Sequence, residues 1–529
     1  MVTVTRSISV AAGVFAPGHL GPLTQVIPLE LVDAVLAQTG RTERRVRMIP
    51  SRVALYLVLA MGLFGQVGAV GVWSKLTSGL AGLPVARPSE KALRDARRRI
   101  GAEPLQALFE VLAGPLAQPR TPGARYRGWR TVAFDGCSST KIPDTAANRA
   151  LYGRAPVRHG HSGYPMLMLM TLVETGTRAL IGAVFGPIGT GEIAWAEKLL
   201  GRLAPSMLLL DDRGFDADGF LVKIAATGAQ FLVRASARRR PPVLARLPDG
   251  SYLTVIAGLR LRVIEAEITV TGADGTALTG TYRLITTLLS HRLDPAPALI
   301  ALYHERWEIE VAYLAIRHTL LDGRVLRSKD PAGLAQEMWA ILTLYQALRT
   351  VMCEAAESVP GTDPDRMRFA LALETARTHT TLANLGESTD RLGPIGRAVL
   401  AEPNPARRAR HSQRKLKSPG NRYTYKDPTR PTASTPITTI DIQVLTPAPP
   451  PAPSTPLDEP EKPPGKNHVL ALFRQAPDQA LSLREITALL EIPGPVHTNR
   501  LGTRLNRWHH QGLLIKTAPA TYKIKETPP

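Results

Sequence analysis

Three acidic residues stand where their side chains could do together what none could do alone. Asp135 closes the apolar run Thr131-Val-Ala-Phe134, and Asp212 ends the fully apolar run that begins at Met207. Glu310 lies in a stretch from 295 to 321 whose spacing predicts a helix with an apolar opposite face. The ends of strands in a central sheet are where a rigid scaffold projects acids into a cleft. Three carboxylates converging on one point repel each other unless cations sit between them, and an all-oxygen donor set suits Mg²⁺ or Mn²⁺. Two such ions can activate a water or a sugar hydroxyl and stabilise the leaving oxygen in phosphoryl transfer. Acids also end strands merely to be solvated, so the surrounding residues must decide.

The elements that would position these acids follow a recognisable order. Arg130 to Asp135 is a short strand. Met166 to Val173 and Ala179 to Phe185 form a hairpin around Glu174-Thr-Gly-Thr177. Ile193 to Leu203 reads as a helix, Met207 to Leu210 as a buried strand, Asp216 to Thr227 as a helix and Phe231 to Arg234 as a strand. Strands first, then alternating helices and strands, imply an α/β fold: a mixed sheet flanked by helices. From 235 to 290 polar turns at Pro248-Asp-Gly250 and Gly272-Ala-Asp-Gly275 mark a β-rich insertion. Helices follow, at 295 to 321 and at roughly 332 to 357.

Composition narrows the partner. The 529 residues carry a formal net charge of +21, which favours a polyanion, most often nucleic acid. Two cysteines, Cys137 and Cys353, make neither a disulfide framework nor a zinc site. Reduced thiols and the lack of a signal-peptide pattern point to a cytoplasmic protein, and a nucleic-acid partner would make it nucleoid-associated. Val53 to Trp73 is apolar and long enough for a membrane span, yet Gly62, Gly65, Gly68 and Gly71 interrupt it. Two packed helices joined near Gly65 to Gly71 are the expectation, with no membrane partner. His159-Gly-His161 is read as a loop and not a metal pair.

The local strings resemble one family. Tyr303-His-Glu-Arg306-Trp-Glu-Ile-Glu310, followed by Arg317, is similar to the Tyr-x2-Arg-x3-Glu-x6-Lys signature of the insertion-sequence-four family of DDE transposases. Asp212-Arg-Gly-Phe215 resembles that family's second-aspartate motif. Asp135-Gly136, with Pro143-Asp-Thr145 and Asn148, resembles the first, and Leu23-Thr-Gln-Val-Ile-Pro28 the N-terminal domain. The resemblance covers roughly residues 20 to 350. It implies a ribonuclease-H-like core and two divalent cations, with Asp135 bridging both while Asp212 and Glu310 each complete one site. It also implies that Tyr303 and Arg306 hold DNA phosphate, with Arg317 in the place of the signature's lysine. Side chains alternate along a strand, so only one of Asp211 and Asp212 faces the cleft. The motif assigns that role to Asp212 and leaves Asp211 a solvated or supporting acid. Some relatives stabilise a flipped base with a tryptophan from the insertion. None lies between Asp212 and Trp307 here, which leaves Tyr252 or Tyr282 as alternatives.

The domains expected are a helical N-terminal DNA-binding domain (1–125), the catalytic domain (126–360), a helical extension (361–400), a basic and proline-rich linker (401–466) and a C-terminal domain (467–529). In the last, Ser482-Leu-Arg-Glu485 is a capping box that opens a helix. Pro495 to Gln511 is a second helix, carrying Arg500, Arg504 and Arg507, and a two-strand hairpin follows. That order resembles a winged helix-turn-helix, whose basic second helix would bind DNA. The function expected is transposition by homodimers that bind transposon ends, cut them and join them to target DNA. The alternatives are a catalytically inactive, DNA-binding regulator and a membrane-anchored basic protein.

Overall fold

Alternation within a few apolar runs builds the centre of the molecule. In β-strands successive side chains face opposite ways. Ala133 and Cys137 accordingly join one hydrophobic core while Val132 and Phe134 join another, and Leu208 and Leu210 separate from Leu209 in the same manner. The sheet is therefore buried on both faces. The computed structural model describes residues 7–80, 82–157, 160–236, 238–382, 392–405, 410–411, 435–446, 466–475, 477–490 and 494–525.

A small hairpin, β1 (Ser7–Ser9) and β2 (Phe15–Pro17), precedes five helices: α1 (Leu29–Gln38), α2 (Ser51–Leu63), α3 (Ala69–Thr77), α4 (Glu90–Ile100) and α5 (Glu103–Leu112). Next come β3 (Arg125–Tyr126), β4 (Trp129–Lys141), α6 (Ala146–Tyr152), β5 (Arg154–Val157), β6 (Gly160–Glu174) and β7 (Leu180–Pro187). They are followed by α7 (Glu192–Glu197), β8 (Met207–Asp211), α8 (Asp218–Ala226) and β9 (Gln230–Arg234). Four strands, β10 (Ala245–Arg246), β11 (Tyr252–Ile256), β12 (Leu259–Gly272) and β13 (Ala277–Thr286), lead to α9 (Ala296–Tyr303), α10 (Glu308–Leu314), α11 (Pro331–Glu357), α12 (Phe369–Thr381) and α13 (Gly393–Ala401). Two further strands are β14 (Arg410–His411) and β15 (Thr435–Val444).

At the centre the sheet runs β7-β6-β4-β8-β9. The pairs β4/β8 and β8/β9 are parallel, and β6 is antiparallel to both β4 and β7. Numbered along the chain, these five strands lie in the order third, second, first, fourth, fifth, with the second reversed. The β-rich segment is not a separate body, because β13 pairs antiparallel with β9 and continues the same sheet through β12 and β11. Part of the expected linker 401–466 is also structured: β15 pairs antiparallel with β12 from Ala266 to Gly272. The basic and proline-rich stretches on either side of β15 fall largely outside the described residues.

Residues 1–447 form one compact unit and 448–529 a second. The expected boundary near 125 does not separate bodies, since one hydrophobic core runs from Val10 through α2 and α5 to α11, α12 and Val399. This explains the apolar stretch at 53–73. It folds as α2 and α3, broken between Leu63 and Ala69 as the glycines imply. Helix α2 is buried on nearly every side because α1, α3, α4 and α11 surround it. Among the described residues no helix is long and apolar enough to cross a membrane.

Both cysteines are buried and unpaired with each other. Burial pushes the Cys353 thiol up to about 12. A thiol reagent at mildly alkaline pH should therefore leave Cys353 unmodified in the native protein and modify it after denaturation. Modification without denaturation would show that α11 is not buried in this way.

Candidate active site

Strand parity brings two of the three acids to one face. Asp135 follows Ala133 by two residues, and Asp212 continues Leu208 and Leu210 in extended backbone (φ −85°, ψ 176°). Both therefore point to the face covered by α9, α10 and α11, whose apolar residues share a core with Ala133, Leu208 and Leu210. Asp135 is not a strand terminus as expected, for β4 runs on to Lys141. It accepts a hydrogen bond from Gly136 N–H (2.9 Å). Asp212 accepts from Gly214 N–H (2.7 Å) and thereby caps the turn Arg213–Phe215.

Helix α10 supplies the third acid and is pinned over β4. Tyr313, one turn beyond Glu310, donates its hydroxyl to the Asp135 carbonyl oxygen (2.6 Å) and lies 3.0 Å from the Thr171 hydroxyl. The expected continuous helix from 295 to 321 is interrupted: a 3₁₀ turn spans His304–Trp307 and a π-helical turn spans Ala315–Leu320. The interruptions matter because they set which signature residues meet. Arg306, only 6% exposed, lies 3.9 Å from Glu310 and interacts electrostatically with Asp212 and Asp135. It is the cation that all three acids share. Burial by itself lowers its proton affinity, but Tyr303, Asp212, Asp135 and Glu310 together raise it above the ordinary arginine range.

Tyr303 is buried, and its hydroxyl donates to the Asp211 carbonyl oxygen (3.1 Å). The expectation that it presents this group to DNA phosphate does not match its placement; here it fixes the end of β8. Arg317 is half-buried in the π-helical turn and makes no ion pair with the three acids. One broad helical face does not unite 303, 306, 310 and 317. The 3₁₀ and π turns shift the 3.6-residue phase on which that expectation rested.

Asp211 is fully buried rather than solvated. The β4/β8 ladder ends at Val132 and Leu209. Beyond it, the Asp211 carboxyl takes the place of a backbone acceptor and receives Phe134 N–H (3.0 Å). The strands thus part next to Asp135 and Asp212. Burial pushes Asp211 well above the ordinary carboxylate range, which favours the protonated acid.

A fourth carboxylate was missed by sequence reasoning. Glu192, at the start of α7, lies against Gly136 and near Gly214: a Cβ at Gly136 would be 3.1 Å from a Glu192 carboxylate oxygen, and one at Gly214 would be 2.9 Å from the Asp212 carboxylate. Any side chain at either glycine would have to displace an acid. Burial pushes Asp135 up to about 7, opposed by Gly136 N–H and Arg306, while Asp212 and Glu192 add to the rise. Nothing in the spacing signals Glu192, because only the crossing of β6 and β7 brings α7 beside β4.

A hard divalent cation fits this donor chemistry. The nearby groups are carboxylates, and burial, with smaller contributions from Asp212 and Glu192, gives Asp135 an excess affinity for a proton that a bound cation would replace. Among the described residues, however, no group of three or more His, Cys, Asp or Glu side chains is arranged to hold a metal. The acids are gathered around Arg306 rather than around a ready-made ligand cage.

The two tyrosines left as alternatives are distinguishable. Tyr252 is buried in the core of the opposite face and donates to Glu265 (3.0 Å). Tyr282, on β13, stands edge-on to Tyr303 (ring centroids 6.4 Å apart), with the Arg234 guanidinium 4.1 Å from its centroid. His159 and the side chain of Trp307 lie outside the described residues.

The chain is similar to known proteins over two segments. Residues 17–110 match the insertion element 4 transposase N-terminal family and residues 138–346 the transposase DDE domain. Transposase InsG for insertion sequence element IS4 of Escherichia coli K12 is 27% identical over 366 residues, covering 66% of this chain and 81% of that protein. A second Escherichia coli K12 protein named as a transposase, InsZ, is 25% identical over 203 residues, 38% of this chain and 66% of its own. A piggyBac transposase synaptic complex with hairpin DNA aligns over 73% of this chain and 84% of its own at 9% identity and a TM-score of 0.36. Sheet, acids and matched segments together define an insertion-sequence transposase. The chain belongs to the insertion element 4 (IS4) family of DDE transposases.

Proposed function

We propose that this transposase cuts the ends of its element and joins them to target DNA with Asp135, Asp212 and Glu310 as its acids, holding two divalent cations, Mg²⁺ or Mn²⁺. The observation that carries the reading is the convergence of those three acids on Arg306. The strand order, with its second strand reversed, supports a ribonuclease-H-like core. When bound, the ions would supply charge neutralisation at the scissile phosphate. The chain's own residues do the rest. Asp211 parts the strands and Tyr303 ties down the end of β8, while Tyr313 seats α10 on β4. Arg306 balances the acids and is placed to pass to an entering phosphate, for which a guanidinium offers a bidentate match. Arg317 is the second phosphate contact and acts from its own turn, outside the acid cluster. Tyr282 is the insertion aromatic that stacks an unpaired base, and two copies act together on paired ends.

Purified protein incubated with supercoiled plasmid carrying the DNA from both sides of its reading frame should nick at the element boundary with Mg²⁺ or Mn²⁺ and stop when the metal is chelated. Binding without nicking under both metals would refute the reading and leave a regulator. Glu192 should add to the cation affinity of the cluster. Titrating Mn²⁺ by electron paramagnetic resonance should show several-fold weaker binding in Glu192→Gln, and an unchanged titration would remove Glu192 from the site.

A further inference from the structure

The second compact unit is built in an order of its own. Helix α14 (Lys466–Gln475) is followed by β16 (Leu481–Ser482), α15 (Leu483–Leu489), α16 (Gly494–His510), β17 (Leu514–Ala518) and β18 (Thr521–Ile524). The strands pair antiparallel in the order β16-β18-β17. It has its own core: Val469, Phe473, Ile486, Leu501, Leu505, Trp508, Leu514 and Tyr522 are buried together. Helix α15 begins with a complete capping box between Ser482 and Glu485. Helix α16 is held to the sheet by the Tyr522 hydroxyl, which donates to the Asn506 side chain (2.7 Å). Two helices followed by a hairpin, with the hairpin closed on by an earlier short strand, is a winged-helix arrangement. The matched family segments end at residue 346 and do not reach it.

The burial pattern of α16 divides its faces. Leu501, Leu505 and Trp508 turn inward, whereas Thr503, Arg504, Asn506, Arg507 and His510 are exposed. Arg504 and Arg507 fall at i and i+3, neighbours on the exposed side of the helix. From Ile492 to Lys525 the sequence contains no acidic residue, while it carries six lysines and arginines. On β17, Lys516 and Thr517 are exposed beside this helix's hairpin. An acid-free face of this kind repels cationic protein surfaces and complements a polyanion. An α-helix also has the width of the B-DNA major groove, where arginine recognises guanine in a bidentate manner.

We propose that residues 466–525 form a second duplex-DNA-reading module, with α16 in the major groove through Arg504 and Arg507, and with Lys516 and Thr517 on the adjacent phosphate backbone. The module is independent of the acidic cluster in its chemistry, although the proposal rests on reading the whole chain as a DNA-processing protein.

The test uses the full chain with a photo-activated cross-linking residue in place of Thr503 and a random-sequence duplex as probe. Illumination should attach the chain to DNA bases. Arg504→Glu together with Arg507→Glu should reduce the adduct by at least about tenfold. Arg504→Lys with Arg507→Lys should retain the adduct but lose the base preference recovered by selection from the duplex pool, because an ammonium lacks the planar fork. The same adduct should form in an Asp212→Ala background, so failure of the chemistry and failure of this contact are read separately. A chain that binds the probe but gives no adduct from position 503 would overturn the proposal. So would an adduct between two protein chains, which would assign this face to a second copy.

Discussion

Asp212→Asn should lower metal-dependent strand cleavage on the order of 10³-fold while leaving duplex binding close to that of the parent protein. The magnitude is that of losing a group that stabilises developing charge at the reaction centre. Asp135→Asn should behave alike. The decisive comparison is with the neighbouring residue. Asp211→Asn replaces a buried acid whose role is to accept Phe134 N–H, and an asparagine carbonyl can accept the same bond. That variant should keep cleavage within about tenfold of the parent. Single-turnover nicking assays beside gel-shift binding would measure both. If Asp211→Asn destroyed activity and Asp212→Asn preserved it, the parity argument placing Asp212 toward α10 would be wrong, and the site with it.

The second large effect concerns stability. Arg262 on β12 is fully buried. Its guanidinium donates to the Ser251 hydroxyl (2.8 Å), to the Asp294 carbonyl oxygen (2.6 Å) and to the Asp249 carboxylate. Asp249 in turn accepts Ala296 N–H (3.0 Å) at the start of α9. This ion pair therefore straps the β-rich segment to the helix that leads into the signature residues. Removing only the arginine leaves Asp249 partly buried without its cation, which costs about 3–5 kcal/mol. Arg262→Met should accordingly shift urea unfolding of the first unit by that amount. Arg262→Met with Asp249→Asn should cost less than Arg262→Met alone, since no charge is then stranded. Burial works to raise the Asp249 carboxyl, but Ser251 and Arg262 hold it below the usual range. Its contribution is thus present above the unfolded carboxylate range and lost as pH falls through the lower folded value. A loss below about 1 kcal/mol would show the strap to be redundant.

Parts of the fold were legible because they depend on local periodicity. The buried strand before Asp212, the hairpin around Glu174, the break between α2 and α3, and the capping box at Ser482 each follow from short-range spacing or from one residue type in one position. The signature from Tyr303 to Glu310 was legible as a string. What that string does in space was not, because a 3₁₀ turn and a π turn alter the helical phase without any proline or glycine between 303 and 320 to announce them. The strand β15 was hidden for another reason. Thr435 to Val444 gains its place mainly by pairing with β12, more than 160 residues earlier in the chain.

By itself the sequence supplies a basic chain and three candidate acids: the identities of Asp135, Asp212 and Glu310, their order and the motifs around them are covalent facts that need no partner. Tertiary packing decided which neighbours those acids would have. It buried Tyr303 against the end of β8, set Arg306 among the carboxylates, brought Glu192 beside them from a distant helix and made Asp211 a wedge between strands. Each of these depends on contacts between segments far apart in the chain, where burial and electrostatic compensation, rather than local propensity, determine the lowest free energy.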